Sequence, residues 1–446
     1  MYPLTKGSVV VRSVCSASTP NLLVFLNVEI QKLWREHKTL RKIKTTVSLL
    51  VILASLAGCT PYNLATRQEI QAVSRAGGNE TDASKVEKGL TKEPVRTVEI
   101  LLAATGDVLI HDSMILAGQE DRGYSYKHFF TQVKPYIEKA DIAIADFEGT
   151  MAGPDNGFSG YPLFNCPAEM AQALADTGFD LVTIAGNHIL DKGTDGLIRT
   201  VSNIEQAGMT PVGAYRNAEE RKKVTIKEIK GVKIAYLAYT YGTNGIPVPK
   251  DKPYLVNLLD ETAMVKDVTE AKALGADFVI ASLHMGEEYQ RQPDDGQKRW
   301  VQKAFAAGVD VVLASHPHVL QPFEKHVVNG KERFVIYSLG NFISAQKGRY
   351  RDAGVIVYVP LKKQVEGGNS RSEIGDVRYV PLWTDRYSRR GRQDYRVLPI
   401  GDVLNKGREK EDPLLTADDI FKLQEAWSDT TSHLGQGYVT SIDELP

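Results

Sequence analysis

The sequence predicts an α/β fold, a mixed two-sheet β-sandwich flanked by helices in four layers, αββα. Three observations carry that expectation. Five continuous apolar runs of strand length, VEILLAAT at 98–105, DIAIAD at 141–146, DLVTIAG at 180–186, DFVIASL at 277–283 and DVVLAS at 310–315, have the composition of strands buried on both faces. Amphipathic stretches of helical spacing separate them, at 126–139, 168–177, 193–207, 260–274 and 296–307, and Gly178, Gly208, Gly275 and Gly308 follow four of these just before the next strand. Glycine there closes a helix with a left-handed residue. Finally, residues 224–239 and 321–339 set a Gly-containing turn, Lys230-Gly231 or Asn329-Gly330, between alternating segments, the pattern of antiparallel hairpins.

In chain order, residues 1–59 read as a leader. KTLRKIK at 38–44 is basic, TTVSLLVILASLA at 45–57 is apolar, and Gly58 and Cys59 follow, the order of a secretory signal. The apolar part is shorter than the about 20 residues a membrane span needs. LAGC, ending at Cys59, resembles the lipobox of bacterial lipoproteins, in which the cysteine is acylated after cleavage. Because some 37 residues precede the basic stretch, translation is expected to begin near Leu40 on a non-Met codon. Residues 60–95 are polar and weakly patterned, a tether with one short helix at 65–75. The folded domain is expected over 96–385, a parallel-rich sheet joined to a more antiparallel one that strands at 354–360 and 376–383 complete. Residues 386–446 read as a C-terminal extension, Arg-rich and solvated at its start (DRYSRRGRQDYR from Asp385), with a helix at 416–427.

Composition narrows the function classes. A 42 % hydrophobic, 24 % charged chain is an ordinary globular one, and a formal charge of -1 gives no electrostatic reason to expect a nucleic-acid partner. Cys15, Cys59 and Cys166 are too few and scattered for a disulfide framework or a Cys-based zinc site, so any metal is held by N and O donors.

Those donors recur where strands end. Asp107 follows the first run and Glu148 the second; Asn187 and His188 follow the third, His284 ends the fourth, and His316 and His318 flank Pro317 after the fifth. On an extended segment alternate residues point the same way, so both imidazoles of the H-P-H stretch can reach one site. A lone Asp after a strand is commonly a helix cap, and a lone His a hydrogen-bonded structural residue. Their coincidence at five strand ends points to a divalent metal centre with Glu148 placed to bridge. Glu288, Tyr289 and Glu324 sit in site-forming loops as ligand-orienting groups or partners of a ligating His. Asn341, after Gly340, either contacts substrate or holds the turn. TYGTNGIPVP at 240–249 reads as an irregular loop near the site.

The string GD, FEG, GNH-x-x-D-x-G, H-x-G-x-E-Y, H-P-H-V-x-Q-P-x-E and SLGNF, over residues 98–359, resembles the CapA (poly-γ-glutamate capsule synthesis) family, related to the calcineurin-like metallophosphatases. The resemblance implies a metallophosphatase-like fold and one or two divalent ions, with Mn, Zn or Fe suiting the donors. Asp107, Glu148 and His318 would contact one ion, and Glu148, Asn187, His284 and His316 the other. His188 would be the catalytic acid or charge-stabilising group. One departure stands out: Leu109 occupies the position where the enzymes carry His, so the first ion is held more weakly, or His111 or water takes that place. The expected role is a lipid-anchored protein on the extracellular face of the bacterial membrane, assisting synthesis, export or attachment of poly-γ-glutamate or a similar anionic polymer beside membrane synthetase subunits. The alternatives are a metal-dependent hydrolase of phosphoesters or of the polymer's amide bonds, and a passive binding module that needs no metal.

Overall fold

The computed structural model describes residues 95–405, 407 and 411–445. The leader, the lipidation candidate Cys59, and the tether with its expected helix, up to residue 94, lie outside the described residues. Four strands open the first sheet: β1 (Arg96–Leu109), β2 (Ile142–Phe147), β3 (Leu181–Thr183) and β4 (Thr210–Val212). Six strands make the second: β5 (Thr225–Ile229), β6 (Val232–Thr240), β7 (Phe278–His284), β8 (Val311–Ser315), β9 (Leu320–Val328) and β10 (Lys331–Leu339). The chain then returns to the first sheet with β11 (Asn341–Ser344), β12 (Ala353–Glu366), β13 (Asn369–Ile374), β14 (Arg378–Arg389) and β15 (Arg392–Pro399). The strand orders are β15-β14-β12-β1-β2-β3-β4, with β11 on β1 and β13 on β12, and β5-β6-β7-β8-β10-β9.

Alternation along each strand explains why the runs are apolar throughout. In β1, Ile100, Leu102 and Ala104 face a core shared with Ile234, Ile280 and Leu313 of the second sheet, while Leu101 and Ala103 join a separate outer core. That outer core takes in Leu174 of α1 (Glu169–Thr177) and Val201 of α2 (Gly193–Gln206). On the far side, Val279 and Val312 pack with Met264 of α3 (Glu261–Ala273) and Phe305 of α4 (Asp295–Ala307). Helix, sheet, sheet, helix is the resulting order. Each fully buried Leu or Ile side chain contributes about 1.5–3 kcal/mol to it.

The local signals act as expected at the glycines. Gly178, Gly208, Gly275 and Gly308 all have positive φ, and both hairpins turn through two left-handed residues, Lys230 (φ 51°) with Gly231 (81°) and Asn329 (52°) with Gly330 (74°). Two-residue turns of that kind match the twist of the strands they join.

Several expectations need correction. Residues 126–139 form two single turns, Lys127–Phe130 and Lys134–Ile137, rather than one helix, because Pro135 opens the second turn and its ring cannot continue the first. Parallel and antiparallel strands are not sorted into separate sheets: β1 to β4 are parallel neighbours in one, β6, β7, β8 and β10 in the other, and the first sheet is extended by the strand at 354–360, antiparallel to β1, and then by the strand at 376–383, antiparallel to β12. The expected boundary at 385/386 falls inside β14, whose partner β15 is itself Arg-rich at its start. Arg390 and Arg392 are exposed as expected, but Arg389 and Arg396 are paired instead of solvated. Arg389 meets Asp394, and Arg396 reaches Asp385 and Asp412, each at 2.6 Å. The C-terminal helix α5 (Ala417–Leu434) is longer than its expected 416–427 span and packs Leu423 and Ala426 against Trp383 and Leu398.

Arg396 and Asp385 are 6 % and 0 % exposed. Arg396→Ala would strand the Asp385 carboxylate in the core, and an unpaired buried charge costs about 3 kcal/mol or more. The expected outcome is a fall of that size in the urea unfolding free energy with an unchanged m value, whereas a solvated extension would leave the midpoint in place.

Candidate metal centre

The parallel strands of both sheets deliver their C-terminal ends to one place. Asp107 lies near the end of β1, Glu148 directly after β2, Asn187 in the loop after β3, His284 at the end of β7, and His316 and His318 just after β8; all six are buried. Gly106 shows why the glycine before Asp107 is needed. A Cβ there would lie 1.9 Å from the Gly340 carbonyl oxygen, and that same oxygen accepts the Asp107 backbone N–H at 3.1 Å. Gly340 itself has φ +67°, so the GD and SLGN segments fit each other through two glycines.

Two triads share one carboxylate. Asp107, Glu148 and His318 offer ligand atoms within 4.8 Å of one another, as do Glu148, His284 and His316. Asn187 joins the second through its Oδ1, 2.6 Å from His284 Nε2. The H-P-H stretch reaches the site by a route other than the extended one expected: His316 (φ +100°) and His318 (φ +57°) both adopt left-handed backbone around Pro317. Non-glycine residues hold such conformations at a cost of about 1–3 kcal/mol, and they cluster at functional sites.

The carboxylates are left wanting a cation. Both oxygens of Asp107, both of Glu148 and His316 Nδ1 are buried without a hydrogen-bond partner, although His318 Nδ1 lies 3.3 Å from Asp107 and its Nε2 3.7 Å from Glu148. Burial pushes the Asp107 carboxyl up to about 6. Burial opposes a charge on His318, yet Glu148 and Asp107 outweigh it and hold that imidazole up at about 9. His316, buried beside His284 and His318, is driven down to about 2. In a metal-free site protons thus stand in for missing positive charge. Buried carboxylate oxygens, neutral imidazole and an amide oxygen in two triads fit a divalent metal site.

His188 stands beside the triads, with Nε2 3.8 Å from Glu148. Its Nδ1–H donates to Asp191 Oδ2 at 2.7 Å, leaving Nε2 to accept from Asn244 Nδ2 at 3.1 Å. Phe164 packs edge-on to its ring. His318 Nδ1 is 3.1 Å from Asn341 Oδ1, and Asn341 Nδ2 donates to the Arg351 carbonyl at 2.7 Å, so Asn341 ties a ligand candidate to the following loop. Glu288 lies at the rim, able to share an ion with His316 and His318. Two expected residues stand apart. His111 turns its Nδ1 to the Leu109 carbonyl and its ring to Phe164, one aromatic ring removed from His188. Glu324 lies on an exposed stretch of β9, where it accepts from Tyr337 and pairs with His326, because strand alternation turns it to the helix-covered side of the second sheet.

Sequence reasoning passed over Asp146, which takes hydrogen bonds from Thr183 Oγ1 at 2.5 Å and Ser315 Oγ and holds His284 Nδ1 at 3.3 Å. Period-two alternation puts Asp146 and Glu148 on one side of their strand, a signal available in DFEG. Also passed over were Asn244, which bonds Asn187 and His188, and Tyr241, whose ring lies 4.8 Å from that of His316 at a tilt of 50°; both lie in the 240–249 loop expected near the site.

Residues 101–346 match the family model described as bacterial capsule synthesis protein PGA_cap. The chain belongs to this family. It is 31 % identical over 250 residues to the PGA biosynthesis protein CapA of Bacillus subtilis, covering 55 % of this chain and 63 % of that one. With the capsule biosynthesis protein CapA of Bacillus anthracis it is 28 % identical over 246 residues, 53 % of this chain and 58 % of the other. The chain therefore spans about three fifths of the length of these relatives. Among solved structures, the Haemophilus influenzae NAD nucleotidase overlaps 78 % of this chain and 66 % of its own at 14 % identity and a TM-score of 0.42. The calcineurin-like phosphoesterase YfkN of Bacillus subtilis overlaps 76 % and 99 % at 15 % identity and a TM-score of 0.37.

Two outcomes follow for this PGA_cap centre. Glu148→Gln removes a buried charge, so in chelator the variant should melt no lower than wild type, yet show no rise in Tm when Mn²⁺ or Zn²⁺ is added. A wild-type melting point indifferent to metal would contradict the site. Because His318 is protonated below about 9 and must be neutral to ligate, metal binding at pH 7 should release protons and tighten as pH rises toward 9. Calorimetry in two buffers of different ionisation enthalpy measures this.

Proposed function

We propose that this chain is a metal-dependent hydrolase acting on phosphoesters or on the amide bonds of an anionic polymer in capsule metabolism. The observation that carries this reading is the set of four unpartnered buried carboxylate oxygens of Asp107 and Glu148, ringed by imidazoles and one amide. Asp107, Glu148, Asn187, His284, His316 and His318 would hold a divalent ion, which when bound would supply Lewis acidity and lower the pKa of water. The residues around it do the rest. Asp191 fixes the tautomer and direction of His188, so that Nε2 faces Glu148 and can hold or deliver a proton at the leaving group. A binding module has no need of an imidazole so oriented. Asn244 and Asn187 keep that imidazole and the ligating His284 in register.

A second reading has its own support. Family membership, and a lipobox-like Cys59 after an apolar stretch, favour an accessory role. In that reading the protein sits lipid-anchored outside the membrane and grips poly-γ-glutamate or a similar polymer as synthetase subunits make it, without cleaving a bond. No helix among the described residues is long and apolar enough to cross a membrane.

The test is metal analysis of the purified protein, with turnover measured on a generic phosphoester and on poly-γ-glutamate. His188→Ala should lower kcat by about a hundredfold or more while metal content stays the same. Metal-loaded wild type that turns over neither substrate would sink the hydrolase and leave the accessory role.

A further inference from the structure

A cavity of about 350 Å³ opens between the loop at 345–352, β14 and α5. Its walls carry both signs of charge, but the pairing is uneven. Asp429 takes Arg349 through two bonds of 2.7 Å, and Asp419 is engaged by Thr416 in the cap of α5. Arg386 stands 3.9 Å from Asp352. Among the described residues Lys347 has no ionic partner, and Arg291 has no carboxylate. The Arg291 guanidinium lies 4.1 Å over the Tyr350 ring and gives one bond to the Asp429 carbonyl. The Nε–H groups of Arg291 and Arg386 are both buried without an acceptor. A buried donor left unpaired costs about 1–3 kcal/mol, which an incoming oxygen ligand removes.

The cavity is joined to the metal centre through short covalent and hydrogen-bonded links. Leu320, in its wall, is two residues from His318, and the loop that forms another wall holds Asn341 through the Arg351 carbonyl and Gln346 Oε1. Arg351 lies 4.0 Å over the Tyr289 ring, which packs near His318. Apart from Arg291 and Leu320, the lining residues fall beyond the family match at 101–346.

We propose that this cavity is a second substrate subsite: Arg291 and Lys347 receive a carboxylate of a chain whose neighbouring repeat lies at the metal centre. It rests on the reading of an anionic polymer as substrate and names where the polymer is gripped. Carboxylate suits the site better than phosphate, because Asp352 and Asp429 in the same wall repel a dianion more than a single charge. Two subsites on one chain act together, so affinity grows with chain length up to the span of the two and mutation of one subsite erases that growth.

The experiment uses the metal-loaded full chain and fluorescently labelled poly-γ-glutamate of graded length, with free glutamate and polyphosphate as competitors, read by anisotropy. Wild type should prefer long chains to short ones. Lys347→Glu and Arg291→Gln should each weaken the long chain by about fivefold or more and leave the short one unchanged. Lys266→Glu, an exposed site on α3, should alter neither. Unaltered length preference in both cavity variants overturns the proposal, as does equal weakening for long and short chains, or polyphosphate outcompeting the polycarboxylate. Metal content and phosphoester turnover, measured on the same samples, report separately on the metal centre, so a failed subsite and a failed hydrolase are told apart.

Discussion

Two buried carboxylates whose oxygens accept no hydrogen bond, Asp107 and Glu148, impose the constraint on which the rest of the centre depends. A folded chain tolerates that arrangement only where something positive completes it, since an ion taken out of water loses several kcal/mol of hydration. The surrounding charges respond accordingly, with Asp107 drawn up toward neutrality and His318 held protonated. His316, among other imidazoles, is held neutral and ready to donate its lone pair. The same group of residues would be completed either by protons or by a divalent ion. The two-sheet sandwich serves it by bringing strand ends from both layers to one rim.

How much of this was legible in the sequence depended on the range of the interaction involved. Strands buried on both faces, glycine helix stops and hairpin turns are set by neighbours within a few residues, and these read correctly. Strand ends that share a rim also read well, because a parallel sheet places them together whatever the intervening lengths. Long-range pairing of strands did not. The sorting of strands between sheets rests on pairings such as β1 with β12, about 250 residues apart in the chain. The arginines after Asp385 looked solvated because Asp394 and Asp412 are invisible as partners until β14 and β15 pair. Glu324 was misplaced for a related reason: its motif runs on from the site into β9, and alternation carries the side chain to the opposite face.

The H-P-H segment shows a right outcome reached by a wrong route. Extended alternation would have turned both imidazoles the same way, yet positive φ at His316 and His318 is what does so. An extended strand would have continued away from the rim. Left-handed residues on either side of Pro317 instead fold the backbone over the end of β8, where Ser315 holds Asp146 and the Pro317 carbonyl accepts the Tyr289 N–H at 2.8 Å. The strain and the convergence have one cause.

The candidate centre is asymmetric. The triad of Asp107, Glu148 and His318 has three protein groups, whereas Glu148, His284 and His316 are joined by Asn187 as a fourth. Leu109 is buried at the end of β1, and its carbonyl is bonded to His111. An open coordination position is what separates a catalytic metal from a structural one, so the shortfall on the Asp107 side does not by itself argue against chemistry. It places the less saturated half of the centre where His318 meets Asn341, on the side that leads to the 345–352 loop. Were ions bound at both triads, a substrate group entering there would complete the set of three donors, and Asn187 would give the other half its fourth.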